Sequence, residues 1–330
     1  MRWGLIGAST IAAEHMIGAI RASGGQIATV MSSDADRAAS YAAAHDIDAG
    51  VTDLHAAMDG VAAVYISTTN EKHMAQAMAA IEAGKHVLCE KPLAMSVADA
   101  VTMVKAADAA GVTFGTNHHL RNAGSHLAIR ELIETGRIGD VLSVRVFHAV
   151  HLPPHLQGWR IDNPDAGGGV IPDITVHDAD TVRFHLDEDP VEVVAMKTAR
   201  GMGQGVEDSA MSVWSMPSGA MVQTHESFTH AHAGTGIEVH GTEGSIIARN
   251  VMTQQPTGDV MLRFDGGEQA VEYSDHSLYE RAVGLFAKAC AGEARPAADG
   301  VDGVKSLAVA AAVSEAAEKG QRVTVDYGGI

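Results

Sequence analysis

Short apolar runs alternate with longer amphipathic stretches along the first 120 residues of this 330-residue chain. The short runs are typical of buried strands, and the longer stretches have the 3.6-residue period of helices. Strands that alternate with helices predict right-handed crossovers and a parallel sheet covered on both faces. The predicted strands are 3–6, 26–31, 61–67, 86–89 and 112–115, and the predicted helices are 11–22, 34–45, 73–83 and 97–110.

The pattern changes after residue 120, where strand-like runs follow one another with turn signals between them. This order predicts a mostly antiparallel sheet. The predicted elements are a helix over 124–134, strands over 141–149, 191–199, 210–214, 220–226 and 236–241, and a closing helix over 303–319. We therefore expect an α/β protein of two domains: an N-terminal Rossmann-type, doubly wound parallel sheet over 1–120, and a substrate-binding α+β domain over 121–330.

Charge and composition exclude several classes of partner. Acidic residues outnumber basic ones by 41 to 23, giving a net charge of −18, and no basic stripe is present. Such a field repels polyanions, so nucleic acid is not an expected partner. Two cysteines exclude a disulfide framework, and no apolar run has the length of a membrane span or a signal segment. We expect a cytoplasmic protein without membrane partners, either a monomer or a homodimer formed through the C-terminal sheet.

Residues 7–12, GASTIA, follow the first strand and open the first helix. Their spacing is that of the G-x-G-x-x-G/A dinucleotide motif, with Ser9 in the second slot and Ala12 in the third. Gly7 would permit the tight turn, and small residues would let the backbone approach a pyrophosphate at the helix N-terminus. The alternative is an ordinary turn of small residues. The candidate phosphate-binding residues are Gly7, Ser9, Thr10, Ile11 and Ala12.

The end of the second predicted strand bears on the choice of cofactor. An NAD site usually places an acid there for the ribose 2′-hydroxyl. This chain has Ser32 and Ser33, followed by Asp34 and, shortly after, Arg37. Hydroxyls and a guanidinium suit a 2′-phosphate, which favours NADP(H), although Asp34 keeps NAD(H) as the weaker alternative. The structural interpretation is that Ser32 and Ser33 cap the next helix and that Arg37 is solvated.

A buried strand then ends in Glu90-Lys91-Pro92. This position places an ammonium group at the carboxyl edge of a parallel sheet, where ligands of such folds bind. Proline restricts the local backbone and is compatible with a cis peptide bond. An ordinary surface lysine after a strand is the alternative.

Asp173, His177 and Asp180 recur at spacings of four and three, so on a helix they share one face. Three interpretations fit: a metal site, a stripe of caps and ion pairs, or a group that holds and protonates a substrate oxygen. No Cys-rich or HExxH-type set accompanies them, so no metal is expected. Ion pairing is the simplest interpretation for Asp180. For His177 we favour catalysis, because imidazole titrates nearest neutral pH.

The stretches 83–94, 67–73 and 167–178 together resemble the Gfo/Idh/MocA oxidoreductases, and the resemblance runs from the first strand to the final helix. It implies that Lys91 lies beside the nicotinamide and contacts the reacting oxygen, that His177 is the general acid/base, and that Asp173 binds sugar hydroxyls. Which of Lys91 and His177 gives up the proton is left open. Asn117 would border both nicotinamide and substrate. The other implied cofactor residues are Thr68, Thr69, Asn70, His73 and Glu90, with Trp159, Arg160 and Tyr279 from the second domain. Core packing is an equal alternative for Trp159 and Tyr279.

Within that family, 3–12, 115–122 and 152–160 look most like bacterial members that reduce a keto-sugar. The resemblance implies NADPH-dependent reduction of the C2 ketone of 1,5-anhydro-D-fructose, or a close relative, to 1,5-anhydro-D-mannitol. One alternative is an NAD-dependent polyol or inositol dehydrogenase with the same skeleton. Another is a non-catalytic cofactor or sugar sensor, whose expected sign is loss of the lysine or the histidine. Both Lys91 and His177 are present.

Overall fold

The computed structural model describes residues 1–330, which form two compact units. The first unit comprises Met1–His119 and Tyr279–Val304, and the second comprises Leu120–Leu278 and Lys305–Ile330. Both units are therefore built from two separate stretches of chain. A single division near residue 120 does not describe this arrangement, because the chain returns to the first unit over residues 279–304.

A parallel six-stranded sheet forms the centre of the first unit, in the order β3-β2-β1-β4-β5-β6. The order reverses direction between β1 and β4, and this switch point is where open α/β sheets bind their ligands. The strands are β1 (Arg2–Ile6), β2 (Gln26–Met31), β3 (Ala49–Val51), β4 (Ala63–Ile66), β5 (His86–Cys89) and β6 (Phe114–Thr116). The helices are α1 (Ile17–Ala22, preceded by a π-helical turn Ala12–Met16), α2 (Ala35–Ala44), α3 (Leu54–Met58), α4 (His73–Glu82, preceded by a 3₁₀ turn Asn70–Lys72) and α5 (Val97–Ala110).

Short polar side chains begin several of these helices. Asp34 is the N-cap of α2, and its carboxylate accepts a hydrogen bond from the backbone N–H of Arg37. Ser96 caps α5 in the same way. The alternative interpretation, in which Ser32 and Ser33 cap α2, is wrong, because α2 begins after Asp34 and the Asp34 carboxylate satisfies a free N–H of the first turn.

The second unit contains a nine-stranded sheet in the order β14-β13-β12-β11-β7-β10-β9-β8-β15. Only β7 and β10 pair in parallel; all other neighbours are antiparallel, which confirms the predicted fold class. The strands are β7 (Val141–Ala149), β8 (Glu192–Thr198), β9 (Ser209–Ser215), β10 (Met221–Ser227), β11 (Thr235–Gly241), β12 (Gly244–Arg249), β13 (Asp259–Phe264), β14 (Gly267–Ala270) and β15 (Val323–Thr324). The helices of this stretch are α6 (Gly124–Glu134), α7 (Trp159–Asp162) and α8 (Val176–Leu186), the last preceded by a π-helical turn Ile171–Thr175.

The returning segment contributes α9 (Leu278–Cys290) and the start of α10 (Gly300–Lys319). In the first unit, the Phe286 ring on α9 lies 5.5 Å from the Trp3 ring on β1, measured between centroids. Tyr279 belongs to this unit, whereas the resemblance placed it on the second domain. The cause of the error is the long range of the contacts, which join α9 to β1 across most of the chain. None of the helices combines the length and the apolar character needed to cross a membrane.

Candidate active site

The glycine loop lies at the switch point of the parallel sheet. Gly7 has a φ of +117°, a backbone conformation that residues other than glycine rarely adopt. A Cβ at Gly7 would also lie 3.0 Å from the carbonyl oxygen of Ser67, which follows β4. The Ser9 hydroxyl is 2.7 Å from the Ser67 hydroxyl and accepts a hydrogen bond from the backbone N–H of Ala12. The loop therefore packs closely against the residue that follows β4, and its small residues lie at the start of a helix.

Arg37 reaches this loop from α2. Its Nη2 donates a 2.6 Å hydrogen bond to the carbonyl oxygen of Ala8, and no carboxylate pairs with its guanidinium. Tyr41, one turn further along α2, donates to the carbonyl oxygen of Ser9 at 2.8 Å. Asp34 uses one carboxylate oxygen to cap α2. The structure therefore brings Arg37 to the glycine loop and gives Asp34 a structural role.

The Glu-Lys-Pro segment follows β5, and the Lys91–Pro92 peptide bond is cis. Glu90 accepts hydrogen bonds at one carboxylate oxygen from the Tyr65 hydroxyl at 2.5 Å and from the Asn117 amide at 2.6 Å. Burial raises the pKa of Glu90, and those two hydrogen bonds oppose the shift. Lys91 is half-buried at the end of the strand. Lys91 and Asn117 therefore follow the carboxyl ends of the paired strands β5 and β6, and the hydrogen bond from Asn117 to Glu90 connects the two segments.

His73 connects this segment to the loop after β4. Its two ring nitrogens lie 2.9 Å from the Pro92 carbonyl oxygen and 3.2 Å from the Thr68 carbonyl oxygen. The ring is fully buried, and burial lowers its pKa. Asn70, three residues before His73, is also buried, while Thr68 and Thr69 are half-buried. With both nitrogens at backbone carbonyls, His73 positions the loop instead of offering a ring nitrogen to a ligand.

Tyr279 packs between two histidine rings of the first unit. Its ring is stacked on His15 at 4.5 Å and on His119 at 5.5 Å between centroids. Only 3% of the residue is exposed. Packing is therefore part of its role.

In the second unit, the predicted residues lie around the start of α8. Asp173 in the π-helical turn forms an ion pair with Arg160 of α7, with Nε and Oδ2 3.5 Å apart. The Arg160 guanidinium also lies 4.7 Å from the centre of the Trp159 ring. His177 lies on the first turn of α8 and, like Asp173, is largely buried. The unit therefore groups Asp173 with Arg160, two residues to which the resemblance gave separate roles.

Asp180 has a different role from its neighbours on the helix face. Its two carboxylate oxygens accept hydrogen bonds from Arg121 at 2.8 Å each. This is a buried bidentate ion pair, which anchors α8 to the segment before α6. The interpretation of Asp180 as an ion-pair residue is confirmed.

Sequence reasoning missed a buried polar cluster beneath α8. His148 on β7 donates from Nδ1 to Asp178 at 2.7 Å, and Glu226 on β10 is directly opposite His148 in the strand register. Asp178 and Glu226 are fully buried. One signal of this cluster is visible in the sequence, the acid directly after His177. His148 and Glu226 lie in separate strands, and nothing local predicts that β7 and β10 pair in parallel.

One observation in the first unit fits a bound dinucleotide. The buried Oδ1 of Asn117 has no hydrogen-bond partner within the protein. A bound group with a polar N–H or O–H would satisfy that oxygen. Gly7, Ser9 and Ala12 would hold the pyrophosphate, and Lys91 and Asn117 would border the nicotinamide.

Comparison with known proteins agrees with this geometry. Residues 1–118 match the oxidoreductase family with an NAD-binding Rossmann fold, and residues 126–247 match the GFO/IDH/MocA C-terminal domain. The chain is 56% identical over 330 residues to the 1,5-anhydro-D-fructose reductase of Ensifer adhaerens, covering 99% of each chain. It is 28% identical over 343 residues to the D-xylose 1-dehydrogenase [NADP(+)] of Haloarcula marismortui, covering 99% of this chain and 93% of that one.

A solved structure of levoglucosan dehydrogenase, in complex with NADH and levoglucosan, has the same fold. The TM-score is 0.89 at 23% identity, covering 98% of this chain and 99% of that one. Both family matches and the 56% identity span the two units. The chain therefore belongs to the GFO/IDH/MocA oxidoreductase family.

Proposed function

We propose that this chain reduces the C2 ketone of 1,5-anhydro-D-fructose, or a close keto-sugar, to the corresponding alcohol with NADPH. For anhydrofructose the product is 1,5-anhydro-D-mannitol. The observation that carries the proposal is 56% identity to a 1,5-anhydro-D-fructose reductase over 99% of both chains. The same residue types that this chemistry needs, a lysine after β5 and a histidine on α8, are present in the two units.

Arg37 supports the choice of NADPH. Its guanidinium lies beside the glycine loop without a carboxylate partner, and Ser32 and Ser33 follow the neighbouring strand β2. A 2′-phosphate provides oxygens that a guanidinium and hydroxyls bind well. The capping role of Asp34 removes one of its oxygens from competition for a ribose hydroxyl.

Ketone reduction leaves negative charge on an oxygen, and that charge needs a nearby cation and a proton. Bound NADPH supplies the hydride. We assign the cation to the Lys91 ammonium and the proton donor to His177 or Lys91. Asp173 accepts hydrogen bonds from sugar hydroxyls, and its ion pair with Arg160 holds the carboxylate in place.

A direct assay tests the proposal. The purified full chain is mixed with NADPH or NADH and a panel of keto-sugars, and loss of reduced-nicotinamide absorbance is followed. We expect NADPH oxidation with 1,5-anhydro-D-fructose, and NMR should identify 1,5-anhydro-D-mannitol as the product.

The same assay distinguishes the alternatives. Turnover of NAD with a polyol or inositol, and none with anhydrofructose, would identify a dehydrogenase of the inositol type instead. Dinucleotide binding without turnover of any sugar would identify a sensor that retains the fold.

A further inference from the structure

The second unit buries two carboxyl groups that the chemistry above does not use. Asp178 lies on α8 directly after His177, and Glu226 lies on β10; both side chains are fully buried. Neither carboxylate pairs with a lysine or arginine. Burying a charge without a cation is costly, and apolar residues of similar size would usually be more stabilising here.

His148 links these acids to His177. Its Nδ1 donates to Asp178 at 2.7 Å, and it stands opposite Glu226 where β7 and β10 pair. The His148 ring also lies 6.2 Å from the His177 ring between centroids, with planes inclined at 42°. The cluster of His148, Asp178 and Glu226 is therefore adjacent to His177 both in sequence and in space, within one unit.

The two acids cannot both ionise easily in this environment. Burial raises the pKa of Asp178 well above its usual range. Burial does the same for Glu226, and the neighbouring charge of Asp178 adds to that shift. Two buried carboxyls close together disfavour double ionisation, because the charge of either one opposes ionisation of the other. The hydrogen bond from His148 favours Asp178 as the ionised member.

We propose that Asp178, His148 and Glu226 form a positioning cluster that fixes the His177 imidazole and sets the pH range over which it exchanges a proton. The cluster's single negative charge stabilises the protonated imidazole of His177 from below α8. Asp178 and His148 act through His177 and do not contact the substrate. This inference rests on the proposed function in one respect only, the use of His177 in catalysis.

Other titratable groups surround α8 and have to be considered in the test. Asp173 lies in the preceding turn and is paired with Arg160, Asp180 is paired with Arg121, and His126 of α6 is paired with His185. Each of these groups has a close partner of its own. The cluster differs from them because its charge depends on a proton shared between two acids.

The first test measures the titration of His177 in the resting protein. Histidine labelled with ¹⁵N is followed by NMR against pH, and the His177 signal is assigned by its loss in His177→Gln. We expect Asp178→Asn to lower the His177 midpoint by about one pH unit, because it removes a nearby negative charge. Glu226→Gln leaves the Asp178–His148 hydrogen bond in place and should shift the midpoint by less than half as much.

Two further variants complete this test. Glu238→Gln is the matched control, because Glu238 lies on β11, paired with Arg145, and should leave the midpoint unchanged. His148→Phe removes the N–H that stabilises the ionised acid, so the cluster becomes neutral and the midpoint should fall as in Asp178→Asn. It carries the test if Asp178→Asn does not fold. A folded Asp178→Asn or His148→Phe protein with the wild-type midpoint overturns the proposal.

Infrared spectroscopy checks the shared proton independently. At neutral pH the wild-type protein should show the C=O band of a protonated carboxyl. The difference spectrum between wild type and Glu226→Gln should isolate this band from other buried acids such as Glu90, since Asp178 then ionises against His148, while Asp178→Asn should keep the band on Glu226. Absence of the band from the wild-type protein would also overturn the proposal.

Activity separates this inference from the proposed function. If keto-sugar reduction occurs, the pH limb of kcat that reports His177 should move with the NMR midpoint in Asp178→Asn. Shifted midpoints in an enzyme that reduces no keto-sugar would sink the proposed function and leave the cluster's effect on His177 intact. Normal reduction with unshifted midpoints would support the proposed function and overturn the cluster's effect on His177.

Discussion

Arg37 donates one hydrogen bond to the Ala8 carbonyl oxygen, and the rest of its guanidinium is available to a phosphate at the same loop. Asp34, three residues earlier, caps α2 by accepting a hydrogen bond from the backbone N–H of Arg37. The sequence alone predicted Arg37 for this role but left Asp34 as a competitor. Ser32, Ser33 and Asp34 are all residue types that cap helices, so the sequence alone does not reveal which of them does so.

Replacing Arg37 by alanine tests cofactor choice. We expect Arg37→Ala to weaken NADPH binding about 10- to 100-fold, since charged hydrogen bonds contribute about 1.5–3 kcal/mol. NADH binding should change much less, because NADH lacks the 2′-phosphate. Fluorescence titration with both dinucleotides makes the comparison. Arg21→Ala, which removes a guanidinium bonded to the carbonyls of His45 and Asp46, is the control. Equal losses for both dinucleotides would remove Arg37 from the phosphate site.

Lys91 and His177 are tested as reacting groups. Lys91→Met and His177→Gln should each lower kcat roughly 10²- to 10⁴-fold, the usual contribution of a group that supplies charge or a proton to the transition state. Dinucleotide affinity should stay within about threefold of wild type in His177→Gln. Lys85→Met is the control for removing an ammonium group, because Lys85 donates to the Val61 carbonyl and has only a structural contact. Unchanged turnover in either variant would show that the proposed mechanism is incorrect.

At the scale of elements, periodicity located the long segments well. The predicted strand 86–89 and helix 97–110 coincide with β5 and α5. The short elements were not predicted: β3 has three residues, and α3 has five, too few to show a period. The strands from β12 to β14 were also missed. β12 buries Ile246, Ile247 and Ala248 in succession, and β14 is fully exposed, so neither shows the apolar alternation that identifies a strand.

The glycine loop is the element whose geometry is most sensitive to substitution. Gly7→Ala should cost about 1–3 kcal/mol, because it forces a side chain into a positive-φ conformation against the Ser67 carbonyl. Dinucleotide affinity should fall by about tenfold or more, since the backbone that faces the pyrophosphate has to move. Thermal unfolding and fluorescence titration measure both effects.

Gly18→Ala is the matched control for this substitution. Gly18 lies in α1, where an added Cβ has no neighbour within 4 Å. Alanine is the better helix former by up to about 1 kcal/mol, so this variant should be as stable as wild type or more stable. A Gly7→Ala protein that matches Gly18→Ala in stability and binding would contradict the role given to Gly7.

At the scale of the whole molecule, buried imidazoles make stability depend on pH. His126 donates from Nε2 to the Val251 carbonyl, so its Nδ1 accepts from His185, and both rings are neutral. Burial lowers the pKa of His126 to about 4. An unfolded histidine has a pKa of about 6.5, so between these values the unfolded chain binds more protons than the folded one.

The unfolding free energy should therefore decrease as pH falls from about 6.5 to 4, by on the order of 3 kcal/mol for His126 alone. Urea unfolding followed by circular dichroism across this range measures the slope. His126→Gln should make the slope shallower. Glu226→Gln should make the slope steeper, because the raised pKa of Glu226 acts in the opposite direction: its contribution to stability is present in acid and is lost as pH rises, so removing it leaves the histidine effect unopposed. An unchanged slope in His126→Gln would contradict this account.

The first unit is completed by a segment, Tyr279–Val304, that begins long after its other part ends at His119. On the ribosome, residues 1–119 emerge long before Phe286 can cover Trp3 and before Asp299 can bridge to Gly115. While residues 120–278 are being synthesised, the first sheet therefore lacks the contacts of Trp3 with Phe286 and of Gly115 with Asp299. A chain truncated before α9 would therefore lack the helix whose Phe286 lies against Trp3.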